Sequence, residues 1–371
     1  MVPASSQHFT VKRLLELATQ IQQIPAPTFE EGRRAEMVRT LFAGEGLQDV
    51  SLDSVNNVYG RLPGQRGVDP LIISAHLDTV FPAEQLALSR QDHRIHGPGI
   101  GDNSLGVAAL LGLLWMLRDA HAELDADVWF VANSCEEGLG DLRGMKEIVG
   151  RFGAGARGYL VVEGTALGQV YHRAVGVQRY RVSITTTGGH SWSDYGNPSA
   201  VHEVAGLVSQ LAATPLPAEP RTTLNVGTIS GGSGVNVLAN HAQFDLDIRS
   251  EGPAELEQLI NKVEASVSAL SREGVTVDFE VIGRRPAGQL PPDHPWVQLA
   301  LECIAAQGLV GRATSGSTDA NIPLSLGMPA IVLGITTGAG AHTPNEYIDT
   351  PPVGQGMQQL YCFVSRLLAA S

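Results

Sequence analysis

Apolar and polar positions follow two alternating patterns along the first half of the chain. Short β-rich runs are separated by longer stretches with helical periodicity. The strand-like runs are LIISA (71–75), DVWFVA (127–132) and GYLVV (158–162), and the helical stretches are 103–120 and about 139–152. The alternation returns near the C-terminus, with a helix at 295–308, a strand PAIVLGI (329–335) and a closing helix at 353–370. This pattern predicts an α/β domain with a mixed, mainly parallel sheet flanked by helices.

The middle of the chain follows a different order. Strand, helix, strand, strand, helix and strand are predicted at 177–187, 199–213, 222–230, 241–250, about 253–270 and 275–283. This is the split β-α-β pattern of a small α+β domain. We therefore predict that residues 177–286 form an inserted domain, with hinges near 172–176 and 284–292. Residues 1–176 and 287–371 would then form one discontinuous catalytic domain.

Composition and charge limit the kinds of molecule that this protein is expected to bind. A chain of 371 residues is longer than a domain with a single hydrophobic core usually is, which agrees with two domains. A formal net charge of -13 argues against a nucleic-acid binder and against docking on an anionic membrane. The longest apolar run, residues 107–117, is too short to span a bilayer. The three cysteines are scattered and the N-terminal residues lack an apolar signal core, so we expect a cytoplasmic protein.

Histidines and acidic residues follow the predicted strands at the points where these strands end. They are His76 after 71–75, Glu136 and Glu137 after 127–132, Glu163 after 158–162 and His342 after 329–335, with Asp102 just before the apolar helix. In an open α/β sheet, ligands bind beyond the carboxyl ends of the strands. We therefore expect these side chains to meet at one edge of the sheet.

The chemistry of these residues indicates a metal site. Two imidazoles and three carboxylates suit Zn²⁺, Co²⁺ or Mn²⁺ better than Mg²⁺. One carboxylate can bridge two ions about 3.5–4 Å apart, and an unligated carboxylate can accept the proton of the attacking water. The adjacent Glu136 and Glu137 can divide these two tasks, and the chemistry alone does not say how. Asp78 leaves the same strand face as His76 and can fix the imidazole.

Each of these residues also has an ordinary explanation when it is taken alone. His76 can be a histidine at a strand end, the glutamate pair can be solvated loop acids, and Asp102 can cap a helix. Their joint occurrence behind several strands favours the metal site. The chain has no G-x-S-x-G motif of a serine hydrolase, and GPGIG lacks the complete nucleotide-binding fingerprint.

Five short motifs strengthen the metal-site interpretation: HLDTV, GPGIGDNSLG, CEEG, VVEG and GAHTPNE, in this order. Together they resemble metallopeptidase family 20, which contains aminoacylases, glutamate carboxypeptidases, tripeptidases, dipeptidases and amino-acid deacylases. The resemblance covers essentially the whole chain. It implies a zinc-peptidase-like catalytic domain with an inserted ferredoxin-like domain that acts as a lid and a dimer interface.

The resemblance implies a role for each site residue. One metal ion takes His76, Asp102 and Glu163, and the other takes Asp102, Glu137 and His342. Asp102 thus bridges the two ions, and a cis peptide bond follows it. Glu136 is the general base, and Asp78 is the partner of the His76 ring.

Four further residues match positions with roles in substrate binding. His190, in TTGGHSW, matches a histidine that reaches across a dimer to stabilise the oxyanion. Asn236 and Arg249 match positions that bind a substrate carboxylate. Gly316, in SGSTDAN, matches a glycine-rich loop beside the substrate, although serines flank it here. The ordinary alternatives are a turn residue for His190 and a surface cation for Arg249.

The sequence therefore predicts a two-metal amide hydrolase that trims small peptides as an exopeptidase. Deacylation of N-acyl amino acids is the alternative within the same family. A non-catalytic module that uses the lid for binding is the alternative from another class. We expect a homodimer formed through the lid, and no nucleic-acid or membrane partner.

Overall fold

The computed structural model describes residues 4–369, with side chains from residue 11 onward. The described chain divides into two compact units. The first unit runs to Ala174 and resumes at Gln289, and the second unit is Val175–Gly288. The sequence-based boundaries at 177 and 286 lie two residues inside the second unit.

The chain forms its helices and strands in the following order. The α-helices are α1 (Ala4–Gln22), α2 (Gly32–Gly44), α3 (Leu105–Asp119), α4 (Arg143–Phe152), α5 (Ala200–Ala212), α6 (Pro253–Ser268), α7 (Pro295–Ala305), α8 (Asn321–Ser325) and α9 (Val353–Leu367). The strands are β1 (Gln48–Leu52), β2 (Val58–Leu62), β3 (Val68–His76), β4 (Ser89–Gln91), β5 (Arg94–His96), β6 (Ala126–Asn133), β7 (Gly158–Glu163), β8 (Gln169–Ala174), β9 (Gly176–Thr186), β10 (Gly189–His190), β11 (Thr222–Gly231), β12 (Val237–Leu238), β13 (His241–Ser250), β14 (Val275–Arg285), β15 (Gly288–Gln289), β16 (Arg312–Gly316), β17 (Ala330–Gly334), β18 (Gly338–Ala339) and β19 (Tyr347–Asp349).

The first unit is built on one large sheet with the strand order β1-β2-β6-β3-β7-β17-β8-β15, and β16 pairs with β8. The neighbours β6, β3, β7 and β17 run parallel. Strands β1 and β2 add an antiparallel edge, and β8 runs antiparallel to β17. The predicted mixed, mainly parallel sheet is confirmed. The carboxyl ends of its four central strands lie side by side, which is where a ligand site is expected.

Helix α3 is apolar on all sides because it is buried on all sides. Its residues from Leu105 to Leu117 are buried, and it packs against α1, α9 and β3. The stretch Ile100–Asp119 is long and apolar enough to cross a membrane, but 94% of its apolar window is buried inside the protein. A helix that is hydrophobic all round is expected in the core of a large domain.

The second unit has an antiparallel sheet with the order β11-β13-β9-β14. Alternate residues of β9, such as Tyr180, Val182 and Ile184, are buried in a core that includes apolar residues of α5 and α6. The element order β9-α5-β11-β13-α6-β14 is the split β-α-β order. A separate ribbon of β10 and β12 extends from this sheet.

The predicted elements are present with shifted ends, whereas several short elements were missed. Helix α4 starts at Arg143 instead of 139, because a 3₁₀ turn occupies Gly138–Gly140. Helix α9 ends at Leu367, and residue 370 of the predicted helix lies outside the described residues. Part of the stretch 172–176, predicted as a hinge, belongs to β8. Strand β8 has only six residues, and its buried residues alternate with half-buried ones, so its sequence pattern is weak.

Candidate metal centre

The parallel strands bring distant histidines and acids to one edge of the large sheet. Strand β3 ends at His76, and β7 ends at Glu163. Glu136 and Glu137 follow within a few residues of Asn133, the last residue of β6. The loop between β18 and β19 carries His342, and the turn before α3 carries Asp102. The peptide bond that follows Asp102 is cis.

Asp102 lies between two imidazole rings. Its Oδ1 is 3.0 Å from Nε2 of His76, and its Oδ2 is 3.1 Å from Nε2 of His342. The His342 Nε2 is also 3.0 Å from Oε1 of Glu137, and the His76 Nε2 is 3.7 Å from Oε2 of Glu163. Each ring therefore faces the shared aspartate and one further carboxylate. These are the two sets of three residues that the family resemblance implies.

The donor set fits a pair of divalent ions. Ligand atoms of His76, Asp102 and Glu137 lie within 4.8 Å of one another. The two oxygens of Asp102 face different rings, so this carboxylate can bridge two ions. A set of imidazoles and carboxylates without thiolates suits zinc, cobalt or manganese.

The same contacts set the protonation of the two rings when no ion is bound. Hydrogen bonds to Asp102 and Glu137 raise the pKa of His342 to about 10. Burial lowers the pKa of His76, but the contact with Asp102 and the nearby carboxylates of Asp78 and Glu163 outweigh burial and raise this pKa well above the ordinary value. Burial acts to raise the pKa of Asp102, and the bonds to both imidazoles bring it well below its usual range. A ring binds a metal ion only in its neutral form, so the raised pKa values of both rings oppose metal binding, and His342 must lose a proton at neutral pH.

Asp78 holds the turn that carries the two adjacent glutamates. Its Oδ1 accepts the backbone N–H of Glu136, and its Oδ2 accepts the backbone N–H of Glu137, each at 2.9 Å. The Thr28 hydroxyl donates to Oδ2 at 2.9 Å. The Nδ1 of His76 is 3.0 Å from the backbone oxygen of Asp78 and 3.6 Å from its Oδ1. Asp78 thus contacts the imidazole chiefly through its carbonyl, and its carboxylate orients the glutamate turn, which the sequence did not reveal.

Two residues that fix Glu163 were missed by the sequence analysis. The Asn103 side chain donates to the backbone oxygen of Val162 at 2.9 Å and accepts the N–H of Gly164 at 2.8 Å. The Thr318 hydroxyl donates to Oε1 of Glu163 at 2.7 Å, so that Oε2 faces the imidazole. Both residues lie in quoted motifs, GDNSLG and SGSTDAN, but neither has the side chain of a usual ligand.

Two buried carboxylates beside the cluster were also missed. Glu346, in GAHTPNE, is 1% exposed and accepts three backbone N–H groups. Asp319, in SGSTDAN, is fully buried and accepts a hydrogen bond from Asn133 Nδ2 at 2.7 Å. Burial raises the pKa of each carboxyl to about 7. The quoted motifs contained both acids, but their partners are 186 to 247 residues away in sequence.

His190 and Asn236 lie together at one end of the second unit. His190 pairs with Val237 across the ribbon of β10 and β12. The backbone N–H of Ser191 donates to the backbone oxygen of Asn236 at 3.0 Å. Both His190 and Asn236 are exposed. The structure therefore brings these two predicted substrate contacts side by side.

The hydrogen bonds of His190 select one tautomer of its ring. The backbone N–H groups of Trp192 and Ser193 point to Nδ1 at 3.2 and 3.4 Å. The backbone N–H of His190 is itself held by Asp194 Oδ2 at 2.7 Å. Since Nδ1 accepts hydrogen bonds, a neutral His190 carries its proton on Nε2. Nε2 is then a hydrogen-bond donor.

Arg249 lies at the other end of the same sheet. It pairs with Val177 across β13 and β9, whereas His241 at the start of β13 pairs with Thr185. These positions are eight residues apart, and a strand rises about 3.3 Å per residue, which gives about 26 Å. The ribbon that carries His190 joins the sheet at the His241 end. An extended tripeptide spans only about 10 Å. The two ends of this sheet are therefore farther apart than an extended tripeptide is long.

Arg249 already has a carboxylate partner. Its Nε is 2.7 Å from Oδ1 of Asp247, and its Nη2 is 3.3 Å from Oδ2. Arg179 also donates to Asp247, at 2.9 Å. A substrate carboxylate would therefore share or replace Asp247 on the guanidinium of Arg249.

Gly316 has a packing reason in the first unit. It ends β16 and pairs with Ala174 of β8. A Cβ atom at this position would meet a ring carbon of Tyr171 at 2.7 Å. The glycine thus allows β16 to lie against Tyr171, whether or not it also borders the substrate.

The chain resembles known proteins along most of its length. Residues 72–366 match the model of peptidase family M20/M25/M40. A putative succinyl-diaminopimelate desuccinylase DapE of Mycobacterium tuberculosis is 27% identical over 353 residues, which cover 92% of this chain and 94% of the relative.

Solved structures share the fold along nearly the whole chain. Aminopeptidase PepT of Bacillus cereus aligns with a TM-score of 0.80 at 21% identity, covering 96% of this chain and 98% of its own. The YXEP protein of Bacillus subtilis, described as a dinuclear metal binding peptidase from the M20 family, aligns with a TM-score of 0.68 at 17% identity, covering 97% and 99%. Similarities at these identities show the fold.

Proposed function

The chain belongs to peptidase family M20/M25/M40, which includes metallopeptidases and amidohydrolases, and we propose that it is a two-metal exopeptidase acting on small peptides. The position of Asp102 carries the proposal. One of its carboxylate oxygens is 3.0 Å from Nε2 of His76, and the other is 3.1 Å from Nε2 of His342. A carboxylate shared by two imidazoles is the arrangement that suits two ions with a bridging ligand.

The first unit supplies every proposed metal ligand. They are His76, Asp102 and Glu163 for one position, and Asp102, Glu137 and His342 for the other. Zinc suits this set, and cobalt or manganese are the alternatives. When bound, the ions would polarise the scissile carbonyl and lower the pKa of the attacking water.

We assign proton transfer to Glu136. Its neighbour Glu137 faces the His342 ring at 3.0 Å, which supports Glu137 as the ligand and leaves Glu136 for the proton. Glu136 takes a proton from the attacking water and delivers it to the leaving amine. Asp78 fixes the turn of both glutamates through their backbone N–H groups. In this proposal the turn orients the two carboxylates differently, so that Glu137 binds an ion and Glu136 transfers the proton.

His190 would stabilise the oxyanion of the scissile carbonyl. Its Nδ1 accepts backbone N–H groups, so its Nε2–H is available as a donor. A positioned donor of this kind is worth about 10²–10³ in rate. Asn236, next to the same ribbon, would bind the substrate beside it.

We propose that a homodimer formed through the second unit completes each site. Within one chain, His241 and Arg249 lie about 26 Å apart at opposite ends of β13, and the ribbon that carries His190 joins the sheet at the His241 end. In the proposed dimer, a small peptide contacts His190 and Arg249 from two different copies. In this proposal the second unit acts as a lid, and Arg249 grips a free carboxylate of the substrate. Gly316 borders the substrate from the first unit.

Deacylation of N-acyl amino acids is the alternative within the family. The 27% identical relative is named as a putative desuccinylase, and it matches 92% of this chain. Peptides and N-acyl amino acids share an amide bond and a free carboxylate, so the same residues would serve both. We place the enzyme in the cytoplasm, where its free cysteines stay reduced.

Mass spectrometry of the free tripeptide Ala-Leu-Phe tests this proposal. The protein would be reconstituted with Zn²⁺, Co²⁺ or Mn²⁺ and compared with Glu136→Gln, which should keep its ions and lose cleavage. Loss of Ala would identify an aminopeptidase, and loss of Phe a carboxypeptidase. Cleavage of N-acyl amino acids alone would identify a deacylase. Bound ions without turnover of any of these amides would contradict the proposal and favour a binding module.

A further inference from the structure

The Glu346 carboxylate is a buried acceptor without a cationic partner among the contacts that surround it. Its Oε2 accepts the N–H of Gly99 at 2.7 Å, and its Oε1 accepts the N–H groups of Gly101 and Asp102 at 2.8 and 2.9 Å. Its backbone oxygen accepts the N–H of Gly97 at 2.9 Å. Glu346 thus collects four N–H groups from the short segment that ends at the proposed bridging aspartate.

The segment held by Glu346 has little freedom to adopt another shape. Gly99 has a φ of 70°, a conformation that favours glycine. A Cβ atom on Gly101 would meet Thr165 at 2.8 Å and Oε1 of Glu346 at 3.2 Å. The turn therefore fits closely around the Glu346 carboxylate. This close fit fixes the position of the Asp102 backbone.

Glu346 also belongs to the loop that carries His342. The two residues lie between β18 and β19, and β19 pairs with β5, which leads into the same turn. The rings of Tyr347 and His96 contact each other across this pairing, with centroids 5.3 Å apart and planes tilted by 39°. Glu346 therefore connects the two segments that place Asp102 and His342.

We propose that Glu346 is a positioning residue for the ion position formed by Asp102, Glu137 and His342. Its carboxylate fixes the backbone of Asp102, the proposed bridging residue. Asp102 and His342 are thereby kept close enough to bind the same ion. This inference rests on the proposed two-metal function. It adds a residue outside the ligand set that controls one of the two positions.

The other ion position has an anchor of its own. The Asn103 side chain bonds the backbone on both sides of Glu163. The Thr318 hydroxyl holds the Glu163 carboxylate. Loss of Glu346 should therefore affect the two positions unequally, whereas a purely structural role would weaken both ions and the fold together.

Calorimetric titration of the metal-free full chain with Zn²⁺ tests the proposal. In Glu346→Gln, the amide –NH₂ replaces one oxygen that now accepts an N–H, so the turn loses part of its anchor. We expect the ion at the Glu137 and His342 position to bind about 10–100-fold more weakly, and the other ion to be weakened less because Asn103 and Thr318 still hold Glu163. Hydrogen exchange of residues 97–103 in the metal-free protein should become faster. Glu302→Gln, an exposed glutamate paired with Arg366, is the matched control.

The outcomes separate this inference from the function on which it rests. Two ions bound as in the wild type, with unchanged exchange at 97–103, would overturn the role of Glu346 and leave the two-metal function intact. Equal weakening of both ions would also overturn it. A wild-type chain that binds no ion would instead overturn the proposed function. If Glu346→Gln does not fold, Glu346→Asp, which keeps the charge and shortens the reach, should show the same unequal loss to a smaller degree.

Discussion

The proposed metal ligands and the proposed substrate contacts of the second unit are assembled in opposite ways. The ligands are scattered between residues 76 and 342, yet they meet within hydrogen-bonding distance of one another. The substrate contacts His190, Asn236 and Arg249 are confined to 60 residues, yet they are split between two ends of one sheet. Closeness in sequence therefore does not predict closeness in the site.

The direction of the strands explains this difference. Parallel strands end at the same edge, so residues that follow β3, β6, β7 and β17 converge however far apart they are in the chain. In an antiparallel sheet, successive strands end at opposite edges. The first unit therefore brings the proposed metal ligands together within one chain, whereas the second unit places His190 and Arg249 at opposite ends of its sheet.

Removal of the shared carboxylate should have the largest effect on the metal side. Asp102→Asn takes the bridging ligand from both positions, so we expect loss of both ions and a fall in kcat/KM of about 10³-fold or more. Metal analysis after dialysis checks the first expectation, and a peptide assay checks the second. Asp119→Asn, an exposed residue at the end of α3, is the control. Full metal content in Asp102→Asn would remove this residue from the bridging role.

Removal of the oxyanion donor should leave the metal side untouched. We expect His190→Ala to lower kcat by about 10²–10³-fold, because Nε2 no longer donates to the oxyanion, while two ions remain bound. His202→Ala, an exposed histidine of the same unit, should behave as the wild type. Unchanged kcat in His190→Ala would exclude this residue from the reaction.

Removal of the guanidinium should change binding more than turnover. Arg249→Ala should raise KM by about 10–100-fold for peptides with a free carboxylate, since a hydrogen bond to a charged group contributes about 1.5–3 kcal/mol. Peptides with an amidated C-terminus should be affected less. Arg181→Ala removes an arginine that is paired with Asp245 on the same sheet, which makes it the matched control. Equal losses on free and amidated peptides would argue against the carboxylate grip.

The smallest predicted signal is a release of protons when metal binds. The pKa of His342 is raised to about 10, so this ring is protonated at pH 7 without metal, and the contacts of His76 raise its pKa as well. Because these pKa values are raised, the ion pairs stabilise the metal-free fold at low pH, and the His342 contribution is lost as pH rises through about 10. We expect at least one proton to be released per chain at pH 7, measured calorimetrically in buffers of different ionisation enthalpy. No proton release would show that the rings are neutral before binding.

The sequence was sufficient to predict the site residues that lie at the ends of strands. His76 and Glu163 close buried strands, so the apolar pattern located them and the family resemblance assigned their roles. The anchors Glu346 and Thr318 could not be found in this way, because they bind backbone or side-chain groups more than 150 residues away.

The split between His190 and Arg249 was also hidden in the sequence. Their separation depends on the pairing register of β13 with β9, which the alternating pattern of a strand does not reveal. The sequence predicted the order of strands and helices in the second unit, but not how its strands pair. Which residues lie at which end became visible only with the paired strands.

Complementation between two inactive variants tests the account most directly. His190→Ala keeps Glu136 and its ligands, whereas Glu136→Gln keeps a functional His190. If the first unit of one copy uses His190 of the other, randomly mixed dimers contain sites in which both residues are intact. Equal co-expression should then restore about a quarter of the wild-type activity, because half of the dimers are mixed and each holds one complete site. Activity no higher than the sum of the two separate variants would contradict a site completed by a second copy.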